Sequence, residues 1–117
     1  MSLISILHNP RCSKSRQTLA LLQEKGIEPE VIEYLKTPLS TQALKGVFGK
    51  LNVEQVREMM RTKEAAYKEL NLGAETVTDD MLFEAMVKEP KLIERPVVIN
   101  GDSARIGRPP EAVLEIV

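Results

Sequence analysis

The apolar positions fall into short runs at both ends of the chain and into spaced stripes between them. Leu3-Ile4-Ser5-Ile6-Leu7 is an apolar run of strand length. His8-Asn9-Pro10 ends it, because proline and the residue before it disfavour continuation. Thr18, Leu19, Leu22 and Ile27 then recur near helical spacing, and Gly26 suits a helix stop. This predicts a helix from Ser13 to Lys25. Glu30-Val31-Ile32-Glu33-Tyr34 alternates and carries β-branched residues, which predicts a second strand, broken by Lys36-Thr37-Pro38. From Ser40 to Glu89 the pattern is helical almost throughout. Ser40 suits the N-cap of a helix from Thr41 to Gly46 or a little beyond. Further helical pieces are predicted over Val53 to Met60 and Ala65 to Leu70. Thr78-Asp79-Asp80 opens another, with its acids where the helix dipole favours them. Met81, Leu82, Ala85 and Met86 form its stripe and Pro90 its end. Strand chemistry returns in Pro96-Val97-Val98-Ile99 and Ser103-Ala104-Arg105-Ile106, separated by the hairpin signal Asn100-Gly101-Asp102. Pro109-Pro110 leads a last helix, Glu111 to Ile116.

The order is β-α-β, a helical block, β-β, then α. A helix between the first two strands makes them parallel, and a tight turn between the last two makes them antiparallel. The fold class expected is therefore α/β, a thioredoxin-like mixed four-stranded sheet built from β-α-β and β-β-α units. Residues 1–117 form a single domain in this reading, with a helical insertion at about 40–90.

Composition narrows the function classes. The 117 residues are 43% apolar and 28% charged, the balance of an ordinary globular protein. Sixteen Lys and Arg oppose seventeen Asp and Glu, for a net charge of −1. General nucleic-acid binding, which needs a basic excess, is not expected. The aromatics Tyr34, Phe48, Tyr67 and Phe83 are scattered rather than gathered into a stacking platform. No apolar run approaches the ~20 residues of a membrane span. The N-terminus lacks the basic and apolar regions of a signal peptide. The expected location is the cytoplasm.

One cysteine is present, Cys12. Alone it forms no internal disulfide and no Cys-rich metal site, so no metal is expected. It follows a strand and starts a helix, where unpaired N–H groups and the helix dipole stabilise a thiolate. Arg11, Lys14 and Arg16 flank it, and no acid is near in sequence. Lone cysteines are usually core residues, but a core position would not carry polar, basic flanks. We therefore read Cys12 as a reactive thiol. His8 reads either as a polar residue ending a strand or as a donor of a hydrogen bond or charge to the thiolate. Ser15 reads either as an ordinary first-turn residue or as one whose hydroxyl faces the sulfur from one turn away. A dithiol redox site would need cysteine at position 15, and a C-x5-R phosphatase loop would need arginine at Thr18. What remains is a monothiol, C-x-x-S, whose covalent bond an outside molecule must resolve.

His8-Asn9-Pro10-Arg11-Cys12-Ser13-Lys14-Ser15-Arg16 resembles the H-N-P-x-C-x-x-S-R signature of glutaredoxin-type arsenate reductases, in particular a compact subgroup of that thioredoxin-like family. Met60-Arg61-Thr62-Lys63-Glu64 with Tyr67 and Leu70, Glu94-Arg95-Pro96-Val97-Val98, and Ile106-Gly107-Arg108-Pro109 resemble three further segments of the family, in the same order. The resemblance implies that Cys12 is the nucleophile and that Arg61, Arg95 and Arg108 bind the oxyanion. It also implies a cis peptide bond before Pro96. Arginine suits an arsenate dianion because its fork of donors stays charged. Each of these arginines also reads, in isolation, as a solvated surface residue. By the same resemblance Cys12 attacks arsenate, glutathione is co-substrate with no cofactor resident, and glutaredoxin supplies the second thiol. Three rival readings keep the same thiol. A monothiol oxidoreductase of glutathione mixed disulfides would need Cys12 but not all three arginines. A regulator that binds RNA polymerase under thiol stress commonly carries a C-x-x-C switch, which Ser15 removes. An iron–sulfur carrier would show C-G-F-S, where this chain has Cys12-Ser13-Lys14-Ser15.

Overall fold

A computed structural model of the chain describes residues 4–37, 39–51 and 53–117. Leu3, at the start of the expected first strand, and Pro38, in the expected break after the second, lie outside the described residues. Strand β1 is Ile4–Leu7, helix α1 Ser13–Glu24 and strand β2 Glu30–Ile32. Helices α2 (Thr41–Lys50), α3 (Ala65–Glu69) and α4 (Asp79–Lys88) follow, interleaved with 3-10 turns at Val56–Met59 and Pro90–Leu92. Strands β3 (Val97–Asn100) and β4 (Ser103–Ile106) and a last 3-10 stretch, Pro110–Glu115, complete the order. The sheet runs β2-β1-β3-β4. β1 is parallel to β2, with Leu7 opposite Ile32, and antiparallel to β3, with Leu7 opposite Val97. β3 and β4 are antiparallel, with Val97 opposite Ile106. This is the mixed thioredoxin-like sheet expected from the order of elements.

The period-two alternation of the strands divides the core into two layers. Ile6 and Val98 face Leu22 of α1 and Val113 of the last 3-10 stretch. Leu7, Val97 and Ala104 face the other way, onto Tyr34, Leu44, Met59, Leu82, Phe83, Met86 and Leu92. The helical block thus covers one face of the sheet and the terminal elements cover the other. Local chemistry sets the element ends. The Ser40 hydroxyl accepts from the Ala43 N–H and the Thr78 hydroxyl from the Met81 N–H, the N-caps of α2 and α4. Gly26, at φ +78°, closes α1 with bonds from its own N–H to Gln23 and from Ile27 to Leu22. Gly101, at φ +61°, takes the first position of the two-residue β3–β4 hairpin loop.

Three elements differ from expectation. β2 ends at Ile32 rather than Tyr34, because the chain turns there: the Tyr34 N–H donates to Ile32 and the Lys36 and Thr37 N–H groups to Glu33. The helix expected over Val53 to Met60 is a single 3-10 turn. Glu58 caps it by accepting from the N–H groups of Glu54 and Gln55, and Met60 leaves it to bridge Ile93. The last helix is 3-10 and begins at Pro110. The Arg95–Pro96 bond is cis, as expected, and so is Arg108–Pro109.

Candidate functional site

Sheet topology gathers the site at one end of the strands. β1 exits there into His8–Cys12, β2 into Tyr34, and β4 into Gly107 and Arg108, while β3 starts there just after Arg95 and Pro96. The His8 N–H donates to Ile32 O at 2.9 Å, tying the first two exits together. Gly107 donates to Pro96 O at 2.9 Å, tying the other pair. Arg61 arrives from the helical block. Its N–H donates to Leu92 O at 2.7 Å and the Glu94 N–H donates to Met59 O at 2.8 Å, so the Arg61 segment pairs with the strand leading to Arg95.

Cys12 is the N-cap residue of α1, with extended backbone, and it is half-buried. Its N–H donates to Asn9 O and its carbonyl accepts from Arg16. The loop before it is stiffened by its own polar groups: Asn9 Oδ1 accepts from the Arg11 N–H, and Arg16 Nη1 donates to Pro10 O. Burial is the largest influence on the thiol and opposes its ionisation. The backbone N–H groups of Ser15 and Lys14 and the guanidinium of Arg95 together outweigh it, so the pKa lies below the ordinary thiol value. Arg108 Nη2 lies 3.9 Å from Sγ. The Arg108 Nε is held in place, donating to Arg95 O at 3.0 Å and pairing with Glu94 at 3.2 Å. Arg61 pairs with Glu64 at 3.5 Å and lines an open cleft with Met60, Thr62, Lys63, Glu94 and Arg108.

His8 and Ser15 sit beneath this surface. Both are buried, and Ser15 Oγ lies 2.6 Å from His8 Nδ1. The same oxygen accepts from the Asn9 N–H at 3.0 Å. Burial lowers the His8 pKa, opposed by Glu33 and reinforced by Arg16, so the imidazole is neutral at pH 7. The hydroxyl has one proton and two lone pairs, so it can hold the Asn9 N–H and His8 Nδ1 at once, its role toward the ring set by the imidazole tautomer. The Ser15 side chain therefore braces the loop, and it is the residue's backbone N–H that serves the sulfur.

Sequence reasoning missed three participants. Glu64 and Glu94 orient Arg61 and Arg108, and only their neighbourhood to those arginines in sequence hinted at it. Tyr34, read as the end of a strand, is fully buried beside the site; its hydroxyl feels the charges of Arg95, Cys12 and Arg61, and the Arg95 side chain beside it falls short of good hydrogen-bond geometry. Arg57, by contrast, is a structural clamp that donates to Tyr67 Oη and to the carbonyls of Leu72 and Ala74. Among the described residues, no group of three His, Cys, Asp or Glu side chains is placed to hold a metal ion. No helix among them is long and apolar enough to cross a membrane.

A lone activated thiol at a helix N-terminus, with arginines converging on it at one end of a mixed four-stranded sheet, defines a monothiol protein of the thioredoxin-like class. Comparison with known proteins carries this further: the ArsC family profile matches residues 7–116, and the chain belongs to that family. It is 54% identical over 117 residues to an arsenate reductase of Haemophilus influenzae, covering all of both chains. It is 40% identical over 117 residues to an arsenate reductase of Escherichia coli K12, covering all of this chain and 82% of that one. The solved structure of an arsenate reductase from Vibrio cholerae superposes with a TM-score of 0.96 at 57% identity, over 97% of each chain.

Proposed function

We propose that the protein is an arsenate reductase in which Cys12 is the nucleophile and glutathione and glutaredoxin are the electron donors. The observation that carries the reading is the convergence of Arg95 and Arg108 on the Cys12 sulfur, from segments that only the fold brings near it. A thiolate by itself would serve many reactions. A thiolate flanked by two guanidinium groups suits an anionic electrophile, because the donors offset charge both on the bound oxyanion and on the oxygen that departs.

In this mechanism Arg61, Arg95 and Arg108 bind hydrogen arsenate beside Cys12. The Cys12 thiolate attacks arsenic; one oxygen leaves as water, taking the arsenate proton and a second proton from solvent, and a Cys12–S–As(V) adduct remains. Glutathione adds its sulfur to arsenic with loss of a second water. The glutaredoxin thiolate then attacks the glutathione sulfur. The S–As bond breaks, its electron pair stays on arsenic, and As(V) becomes As(III), while glutathione leaves as a mixed disulfide with glutaredoxin. Water releases arsenite and restores Cys12. His8 and Ser15 act by holding the Cys12 loop. The free thiol suits a reducing, cytoplasmic setting.

The test is arsenate-dependent NADPH oxidation coupled through glutathione, glutaredoxin and glutathione reductase. Turnover should require Cys12. Replacing Arg95 or Arg108 by Ala should lower it at least tenfold while sparing exchange with glutathione mixed disulfides. Equal losses in both assays would instead support a general thiol oxidoreductase.

A further inference from the structure

Three buried polar atoms at the site lack a hydrogen-bond partner: the Tyr34 hydroxyl, Arg61 Nη1 and Arg95 Nε. All three offer a proton. Unmet donors in a buried position are unfavourable, and native proteins keep few of them. Here they lie together: the Tyr34 hydroxyl stands beside the Arg95 side chain, short of good hydrogen-bond geometry, and feels the charges of Arg95, Arg61 and Cys12. What the group lacks is acceptors, and a tetrahedral oxyanion brings several. Tyr34 also has no exposed surface, so its ring is held in place at the end of β2 by the core cluster that contains Leu7, Met59 and Val97. Arg61 and Arg95 are half-buried, on long side chains that can draw around an incoming anion.

We propose that Tyr34 is an additional oxyanion-binding residue, whose hydroxyl donates to an oxygen of arsenate once the anion has drawn Arg61 and Arg95 around itself. The proposal rests on the arsenate reading above. Its role differs from that of the arginines. Burial raises the phenol above its ordinary pKa, so it stays a neutral donor at every pH where Cys12 works. A neutral donor fixes the orientation of the oxyanion without adding charge beside the thiolate.

The variant is Tyr34→Phe, which keeps the ring and removes only the hydroxyl. The readout is protection of Cys12 from iodoacetamide by arsenate, without glutathione, alongside thermal melting of the anion-free protein. The proposal expects the half-protecting arsenate concentration to rise about ten- to a hundredfold, the worth of one hydrogen bond to a charged acceptor. It also expects the melting temperature to stay within a degree or two of wild type, because the hydroxyl has only a poorly aligned contact with Arg95 to lose. An unchanged half-protecting concentration overturns the proposal and leaves the arsenate reading standing. So does a melting temperature lowered by several degrees, which would show that the hydroxyl holds the fold. Failure of arsenate to protect the wild-type thiol at any concentration overturns the arsenate reading and this proposal with it.

Discussion

Replacing Gly107 by alanine tests how tightly the two arginine-bearing segments are locked together. Gly107 is buried between β4 and Arg108. A Cβ there would lie 2.7 Å from Thr18 Oγ1, 2.8 Å from Pro96 Cγ and 3.2 Å from Thr18 Cγ2. Ordinary heavy-atom contacts sit at about 3.5–4.0 Å, so the methyl group intrudes by several tenths of an ångström on both neighbours. Neither gives easily. Thr18 is fully buried on α1 and its hydroxyl donates to Lys14 O at 2.8 Å. Pro96 is a rigid ring, also buried, whose carbonyl accepts from Gly107 itself. Overpacking of this kind costs about 1–3 kcal/mol. For a chain of this size each kcal/mol lowers the melting temperature by roughly 3–6 °C, so Gly107→Ala should melt about 5–15 °C below wild type. Relief of the clash moves Thr18 and with it α1, which Cys12 caps, or Pro96, which follows Arg95, or Arg108, which follows residue 107. The thiolate then loses part of its cationic environment, and the Cys12 alkylation midpoint should rise. Calorimetry and alkylation against pH measure both effects. A melting temperature within a degree of wild type, with an unchanged midpoint, would refute the packing argument.

The other predictions follow from the same loop. Ser15→Ala removes the acceptor of the Asn9 N–H and the partner of His8 Nδ1, both on buried residues; chemical denaturation should show a loss of about 2–4 kcal/mol, and a loss under 0.5 kcal/mol would contradict the bracing role. His8 has a folded pKa below its unfolded 6.5, so below pH 6.5 the unfolded chain binds the extra proton. Its contribution is complete above pH 6.5 and fades as pH falls toward the folded value. Unfolding titrations of His8→Asn should therefore be flatter over that window than those of wild type, and identical slopes would count against a buried, neutral imidazole. Iodoacetamide alkylation of wild-type Cys12 should show a midpoint well below the ~8.5 of a free thiol; one at or above that value would mean that burial outweighs Arg95 and the helix N–H groups.

The legible parts of the fold were those written in local chemistry. Ser40 and Thr78 announce their helices because the capping hydroxyl sits three residues before the N–H it serves. Asn100-Gly101 announces the hairpin through the positive φ that glycine supplies. The Val53 to Met60 segment misled, because one apolar turn reads alike whether it continues as a helix or closes as a 3-10 turn capped by Glu58. β2 was overrun for a related reason: Tyr34 fits the strand alternation and shares the core face of Ile32, and the hydrogen bonds of the turn after Ile32 leave no mark in that pattern. Cys12 could be placed from its neighbours, since a strand end, a helix start and basic flanks all lie within a few residues. The arginines could not. Arg61, Arg95 and Arg108 are gathered by the Met60–Ile93 bridge, the β1–β3 pairing and the contact of Gly107 with Pro96, none of which leaves a local pattern, and they were singled out by family resemblance. Tyr34 had neither a motif nor a charge to mark it.

The central claim is that Cys12 reduces arsenate, and the most direct measurement is arsenic speciation. Arsenate, glutathione and glutaredoxin are incubated with wild-type protein or with Cys12→Ala, and arsenite is separated and counted. The account predicts repeated turnover by wild type and only the uncatalysed background with Cys12→Ala. Equal arsenite from the two proteins, or none above background from wild type, would contradict it.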